Sequence, residues 1–165
     1  MIGKNLLTNS LAVFLIFLFD RLSKIYVVYL DNKYNGLEIL SSKFLNIHLI
    51  WNEGIAFGLF SFDNNVFYNF LTIFIFIIVL IILFMIFKSE EKKKYALLMI
   101  LGGALGNLYD RIYYRAVPDF IDFHFGEFHW FIFNFADVFI TLGVFFMILM
   151  EFIGNNKNNA KYEKL

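Results

Sequence analysis

The chain has 165 residues, of which 60 % are hydrophobic and 21 % aromatic, with one proline, no cysteine and zero formal net charge. A soluble protein is only about half apolar, so this excess points to a membrane protein. The absence of cysteine excludes disulfides, thiolate nucleophiles and Cys-ligated metal, and the balanced charge gives no global field for nucleic acid.

A helix needs about 20 mostly apolar residues to cross a hydrocarbon core of roughly 30 Å, and four segments qualify. The first, residues 6–30, carries Asp20, Arg21 and Lys24 in its second half. Lys4 precedes its apolar run as in a signal peptide, but no small-residue cleavage site follows and the run outlasts an h-region of about 7–15 residues. A retained span is expected. Residues 66–87 contain no charge; residues 95–114 are rich in glycine and end in polar groups; residues 133–153 hold Asp137 near the start and Glu151 near the end.

Lys4, the cluster Lys88, Lys92, Lys93 and Lys94, and the tail residues Lys157, Lys161 and Lys164 fall on one side of this four-span scheme. Lys33, Lys43 and Arg115 fall on the other, in loops 31–65 and 115–132. The basic side is expected to be cytoplasmic, with both termini inside. The run KSEEKKK reads as a solvated, orientation-setting loop. The expected fold class is an all-α integral membrane protein, a single domain over residues 1–165, with a small extracytoplasmic β-sheet.

The sheet is expected from the outer loops. In "KFLNIHLIWN", Leu45, Ile47, Leu49 and Trp51 alternate with Asn46, His48 and Asn52, which is the period of a strand. "EGIAFGLF", with Gly54 and Gly58, predicts a bend or flap. "DFIDFHFGEFHWFIF" has a turn candidate at Gly126-Glu127 between two aromatic runs, and Trp51 and Trp130 suit an interfacial belt. Pro118 biases Val117 away from helix, so Asp119 is expected on an extended segment.

At about 1.5 Å per residue, Asp20 lies roughly 21 Å from the cytoplasmic start of its span, and Asn107 to Asp110 lie at a similar height in theirs. Asp137, about 6–9 Å in from the outer end of the fourth span, reaches the same level. Such residues face the bundle interior and are functional candidates by default, or else form a structural ion-pair knot. Asp20 and Lys24 can pair at i,i+4, and Asp110 is followed by Arg111. Asp137 has no cation near it in sequence, only Asn134 and Thr141 one turn away, which suits general acid–base work. Gly102 and Gly106 form a G-x-x-x-G face for close helix approach.

Two carboxylates on one site can share a proton and activate water. Metal chemistry has no motif: His124 and His129 are five apart without H-E-x-x-H, His48 stands alone, and all three read as interfacial histidines. A small proton- or ion-coupled carrier could use the same carboxylates, but residues 73–87 and 142–150 offer no titratable group to continue a relay. Asp119 and Asp122, three apart, should point to opposite faces of a strand, one toward Asp137 and the other toward water or the sheet edge.

The motifs "DRLSK", "WNEGIAFGLF", "GGALGNLYDR", "VPDFIDF" and "FNFADVFI" stand in the order seen in lipoprotein signal peptidase (signal peptidase II), and the chain resembles that family over nearly its whole length. The resemblance implies a bacterial plasma-membrane aspartic endopeptidase that cuts prolipoproteins just before a diacylglyceryl-modified cysteine. It implies four spans, an outer β-cradle and a short interfacial helix in the first loop. By motif it implies Asp119 and Asp137 as catalytic residues, with Asn52, Asn107, Arg111 and Asn134 holding the substrate. Asp20, Lys24 and Asp110 would support the site. No metal, no other cofactor and no nucleic acid are expected, and the enzyme is expected to act as a monomer. Pro118, where the family usually has an aliphatic residue, is the chief departure.

Overall fold

Four long helices and four strands follow the chain in the order α1 (Ile2–Tyr34), β1 (Leu40–Ser41), β2 (Leu45–Asn52), α2 (Asn65–Lys88), α3 (Glu91–Tyr114), β3 (Val117–Phe125), β4 (Phe128–Phe133) and α4 (Phe135–Tyr162). The structure is a computed structural model and describes residues 2–54 and 65–162. Most of "WNEGIAFGLF", including the expected bend at Gly58, lies outside the described residues, as does Lys164 of the tail. Among the described residues 35–54 there is no separate short helix; the segment forms a turn and two strands.

The helices differ in character for a physical reason. Over Tyr68–Lys88 in α2 and Phe135–Ile153 in α4 they are long and apolar enough to cross a membrane, and Ile73, Phe74, Ile81 and Phe84 of α2 stand exposed. Helices α1 and α3 are 33 and 24 residues long, but both carry charged side chains that are buried against each other. Helix α3 packs on α1, α2 and α4. Its glycines allow this: a Cβ on Gly103 would strike the Ala136 carbonyl oxygen, one on Gly106 the Asp20 carboxylate, and one on Gly102 would lie 2.7 Å from Ile16. Lower down, Val79, Ile82 and Ile86 of α2 pack on Leu97, Leu98, Leu101 and Leu108 of α3, an apolar seam with no buried charge.

Two boundaries differ from the sequence expectation. The KSEEKKK run is not a loop, because α3 begins at Glu91 and leaves only Ser89 and Glu90 between helices. Ser89 Oγ closes α2 on the Met85 carbonyl at 2.6 Å, and Lys93 reaches Glu151 of α4 at 2.6 Å. The fourth helix begins at Phe135 rather than Phe133, since Phe133 ends β4 and Asn134 caps the helix.

The strands form one antiparallel sheet in the order β1-β2-β3-β4, with Gly126 at φ +59° in the β3–β4 turn. Across β2 and β3, Asp119 lies opposite Ile50, Pro118 opposite Trp51 and Asp122 opposite Asn46, with a bulge between Ile47 and Ile50. Val27 of α1 packs with Phe120 and Ile121 of β3, and Leu45, Ile47, Leu49, Phe133 and Phe135 close around them. This second core ties the sheet to the second half of α1 and the start of α4.

Candidate active site

The i,i+4 spacing of Asp20 and Lys24 does what it predicts, and more. The buried Lys24 ammonium uses all three of its protons, donating to Asp20 Oδ2 at 2.9 Å, Asn107 Oδ1 at 2.8 Å and Asp110 Oδ2 at 2.7 Å. Asp110 takes its second cation from Arg21, at 2.5 Å, and that guanidinium also lies 4.9 Å from the Tyr109 ring centroid. Asp110 therefore does not pair with Arg111, the neighbour its sequence position suggested; successive residues on a helix do not face each other. Two carboxylates and two cations make the cluster electrically balanced, which is what permits its burial.

From this cluster the contacts run outward to α4. The free oxygen of Asp20 accepts from the Ala136 backbone N–H at 2.9 Å, so a side chain of α1 caps the first turn of α4. Asn134 caps the same turn from within. Its Oδ1 accepts from the Asp137 N–H at 3.2 Å, while Asp137 Oδ2 accepts from the Asn134 N–H at 3.1 Å. This reciprocal arrangement is a capping box built from Asn and Asp.

The remaining donors converge on two carboxylates. Asn107 Nδ2 donates to Asp137 Oδ1 at 2.8 Å, Asn134 Nδ2 to Asp119 Oδ1 at 2.6 Å, and Asn52 Nδ2 to Asp119 Oδ2 at 2.8 Å. Asn134 thus touches both Asp119 and Asp137. Asp119 is only 4 % exposed. Burial, followed by the charge on Asp137, pushes its pKa up to about 6. Arg111 donates to the Asn107 carbonyl at 3.3 Å and to the Gly54 carbonyl at 3.0 Å, and the Tyr68 hydroxyl donates to the Arg111 carbonyl at 3.2 Å. Neither Tyr68 nor the Gly54 carbonyl stood out in the sequence. Tyr68 is one aromatic among many, and a backbone oxygen leaves no residue-type signal.

Asp122 corrects another expectation. It does point away from Asp119, but it faces neither water nor a free edge. It is 1 % exposed and accepts from His129 Nδ1 at 2.8 Å, with the His124 ring stacked on His129 at 5.1 Å. Both faces of the first six residues of β3 are covered. Two of the three histidines, His124 and His129, thus form a stacked pair on the sheet. Among the described residues no group of three or more His, Asp or Glu could hold a metal ion.

Residues 12–153 match the family described as signal peptidase (SPase) II. The chain is 51 % identical over 159 residues to a lipoprotein signal peptidase of Pelagibacter ubique (strain HTCC1062), covering 96 % of each chain. It is 36 % identical over 152 residues to that of Anaplasma marginale (strain Florida), covering 90 % of this chain and 86 % of the relative. A solved bacterial membrane enzyme, determined by the in meso method at 2.3 Å, superposes with a TM-score of 0.69 at 28 % identity, covering 92 % of this chain and 90 % of that one. The chain belongs to the signal peptidase II family, and with it to the membrane proteases of lipoprotein processing.

Proposed function

We propose that this chain is a membrane aspartic endopeptidase that removes signal peptides from diacylglyceryl-modified prolipoproteins, cutting just before the lipidated cysteine. Asp119 and Asp137 are its catalytic residues. One is ionised and draws a proton from water as that water attacks the scissile carbonyl, and the other is protonated and serves as the acid. Arg111 and the asparagines Asn52, Asn107 and Asn134 hold the peptide and stabilise the tetrahedral intermediate. Asp20, Lys24 and Asp110 lock the helices beneath them.

The observation that carries this reading is Asn134, which hydrogen-bonds Asp119 with its side chain and Asp137 with its backbone. Two carboxylates from a strand and a helix are thereby held side by side. Residues 1–165 form one peptidase domain whose four helices all cross the bacterial plasma membrane, both termini being cytoplasmic and the sheet lying on the outer face as a cradle. In that frame the lipid-tethered scissile bond arrives at the level of Asp137. The carrier alternative gains nothing from the apolar seam between α2 and α3, which gives a proton no path inward.

The test is turnover of a lipid-modified prolipoprotein by purified Asp119→Asn, Asp137→Asn, the double variant and Asp122→Asn, each checked for folding. Both single variants should abolish cleavage and the double should add almost nothing, because members of one catalytic unit are non-additive. Asp122→Asn should stay active. An active Asp119→Asn beside a dead Asp122→Asn would put Asp122 in the dyad in place of Asp119, and loss of activity in EDTA restored by zinc would end the two-aspartate mechanism.

A further inference from the structure

Lys24, on α1, lies one residue removed from the aspartate pair, and what it does there is set by Asn107. A primary amide has one acceptor and one donor end, and the two are interchangeable unless neighbours fix them. The ammonium of Lys24 holds Asn107 Oδ1 at 2.8 Å, which leaves only Nδ2 to face Asp137 Oδ1, also at 2.8 Å. Turning the amide over would set an oxygen against a carboxylate and an N–H₂ against an ammonium at once. The amide is locked.

The two aspartates are not equivalent in this frame. Asp137 is the third residue of α4, where exposed N–H groups and the helix dipole favour a negative charge. It receives the Asn134 backbone N–H and the cation-locked amide of Asn107. Asp119 sits on β3, with no helix terminus of its own, and among the described residues receives the side-chain amides of Asn52 and Asn134. Among the described residues the charged groups beside the pair are Asp20, Arg21 and Lys24 from α1 and Asp110 and Arg111 from α3.

We propose that Lys24 is a positioning residue that sets the polarity of the pair: by holding the Asn107 carbonyl it aims that amide's N–H at Asp137, making Asp137 the base and Asp119 the acid. This rests on the two-aspartate reading above.

The experiment is the pH profile of kcat/KM on a diacylglyceryl-modified prolipoprotein, for the wild type, Asn107→Ala and Lys24→Met/Asp110→Asn. The double substitution removes one charge of each sign and leaves Asp20 with Arg21, so the buried cluster stays neutral. Asn107→Ala leaves the ion cluster whole and guards against misfolding of the other variant. In both, the acidic limb should move to higher pH by about one unit, with the corresponding tenfold loss on that limb, and by more than the alkaline limb moves. A shift of the alkaline limb instead would make Asp137 the acid and overturn the proposal. Reduced turnover with both limbs in place would overturn it too, leaving Lys24 only a packing role. Turnover surviving in both Asp119→Asn and Asp137→Asn would remove the underlying two-aspartate reading, an outcome separate from either.

Discussion

Asn134 and Asp137 hold each other across the first turn of α4, each side chain accepting from the other's backbone N–H at 3.2 and 3.1 Å. The same Asn134 side chain donates to Asp119 at 2.6 Å, so a helix cap and a contact to the second carboxylate share one amide. These roles can be separated. Serine keeps a cap oxygen but cannot reach Asp119. Asn134→Ser should therefore keep the cap and cost about 1–3 kcal/mol for the donor that Asp119 loses, while turnover falls further than that loss explains, and Asn134→Ala should lose roughly 1 kcal/mol more. Melting in detergent and turnover on lipid-modified substrate measure the two. Near-normal turnover in Asn134→Ser would leave the residue a cap and nothing else.

How much of this could be read in the chain depends on the range of the signal. At about 1.5 Å per residue Asp20, Asn107, Asp110 and Asp137 come to similar heights along their helices, and the bonds from Lys24, Asn107 and Asp20 join them. The alternation from Leu45 to Trp51 gave β2, and Gly126 gave the turn. Which cation meets which anion was not legible. Asp110 pairs with Arg21, 89 positions away in sequence, because helix rotation and not adjacency decides the match. The burial of Asp122 was hidden for a related reason: strand alternation predicts the face, but not that His129 on the neighbouring strand covers it. Asn134 and Asp137 were legible as one-turn neighbours. That they form a capping box required knowing that β4 ends at Phe133.

Gly106 is a stricter test of the helix contacts than any charged residue. A Cβ there would strike the Asp20 carboxylate, which is pinned by Lys24 on one oxygen and by the Ala136 N–H on the other. The carboxylate cannot retreat without releasing the first turn of α4. Gly106→Ala should cost about 1–3 kcal/mol, the usual range for overpacking, despite alanine's better helix propensity. Turnover should fall further than the loss of folded protein explains, because Asp137 moves with that turn. A stable, fully active Gly106→Ala would mean that α1 and α3 adjust freely at this level.

The pH dependence follows from Asp119. Its carboxyl titrates near 6, raised by burial and by the charge on Asp137. A raised carboxyl is protonated below that value and ionised above it. If Asp119 is the acid, the competent form is present below about pH 6 and is lost as the pH rises through it, so kcat/KM should fall toward tenfold per unit on the alkaline side. Because kcat/KM reports the free enzyme, the limb should appear near that pH even if bound substrate carries kcat further. A rate still rising between pH 6 and 8 would assign Asp119 the role of base.

Arg111 spans two parts of the site with one planar group. One end of its fork donates to the Asn107 carbonyl within α3, and the other to the Gly54 carbonyl just beyond β2, tying the central helix to the segment that follows Asn52. Its charge also acts on Asp137, and the Tyr68 hydroxyl steadies its backbone from α2. Lysine keeps the charge but offers a single nitrogen on a flexible stem, so it cannot bridge both carbonyls in that geometry. Arg111→Lys should therefore stay inserted and folded, with one buried carbonyl losing its donor at a cost of about 1–3 kcal/mol. If the guanidinium also stabilises the tetrahedral intermediate, kcat should drop about a hundredfold, the scale of one lost oxyanion donor, while KM changes little. Steady-state kinetics on lipid-modified substrate, beside a melting curve, separate the two effects. A rise in KM with kcat preserved would make Arg111 a substrate clamp, and unchanged kinetics would reduce it to a strut between α3 and the end of β2.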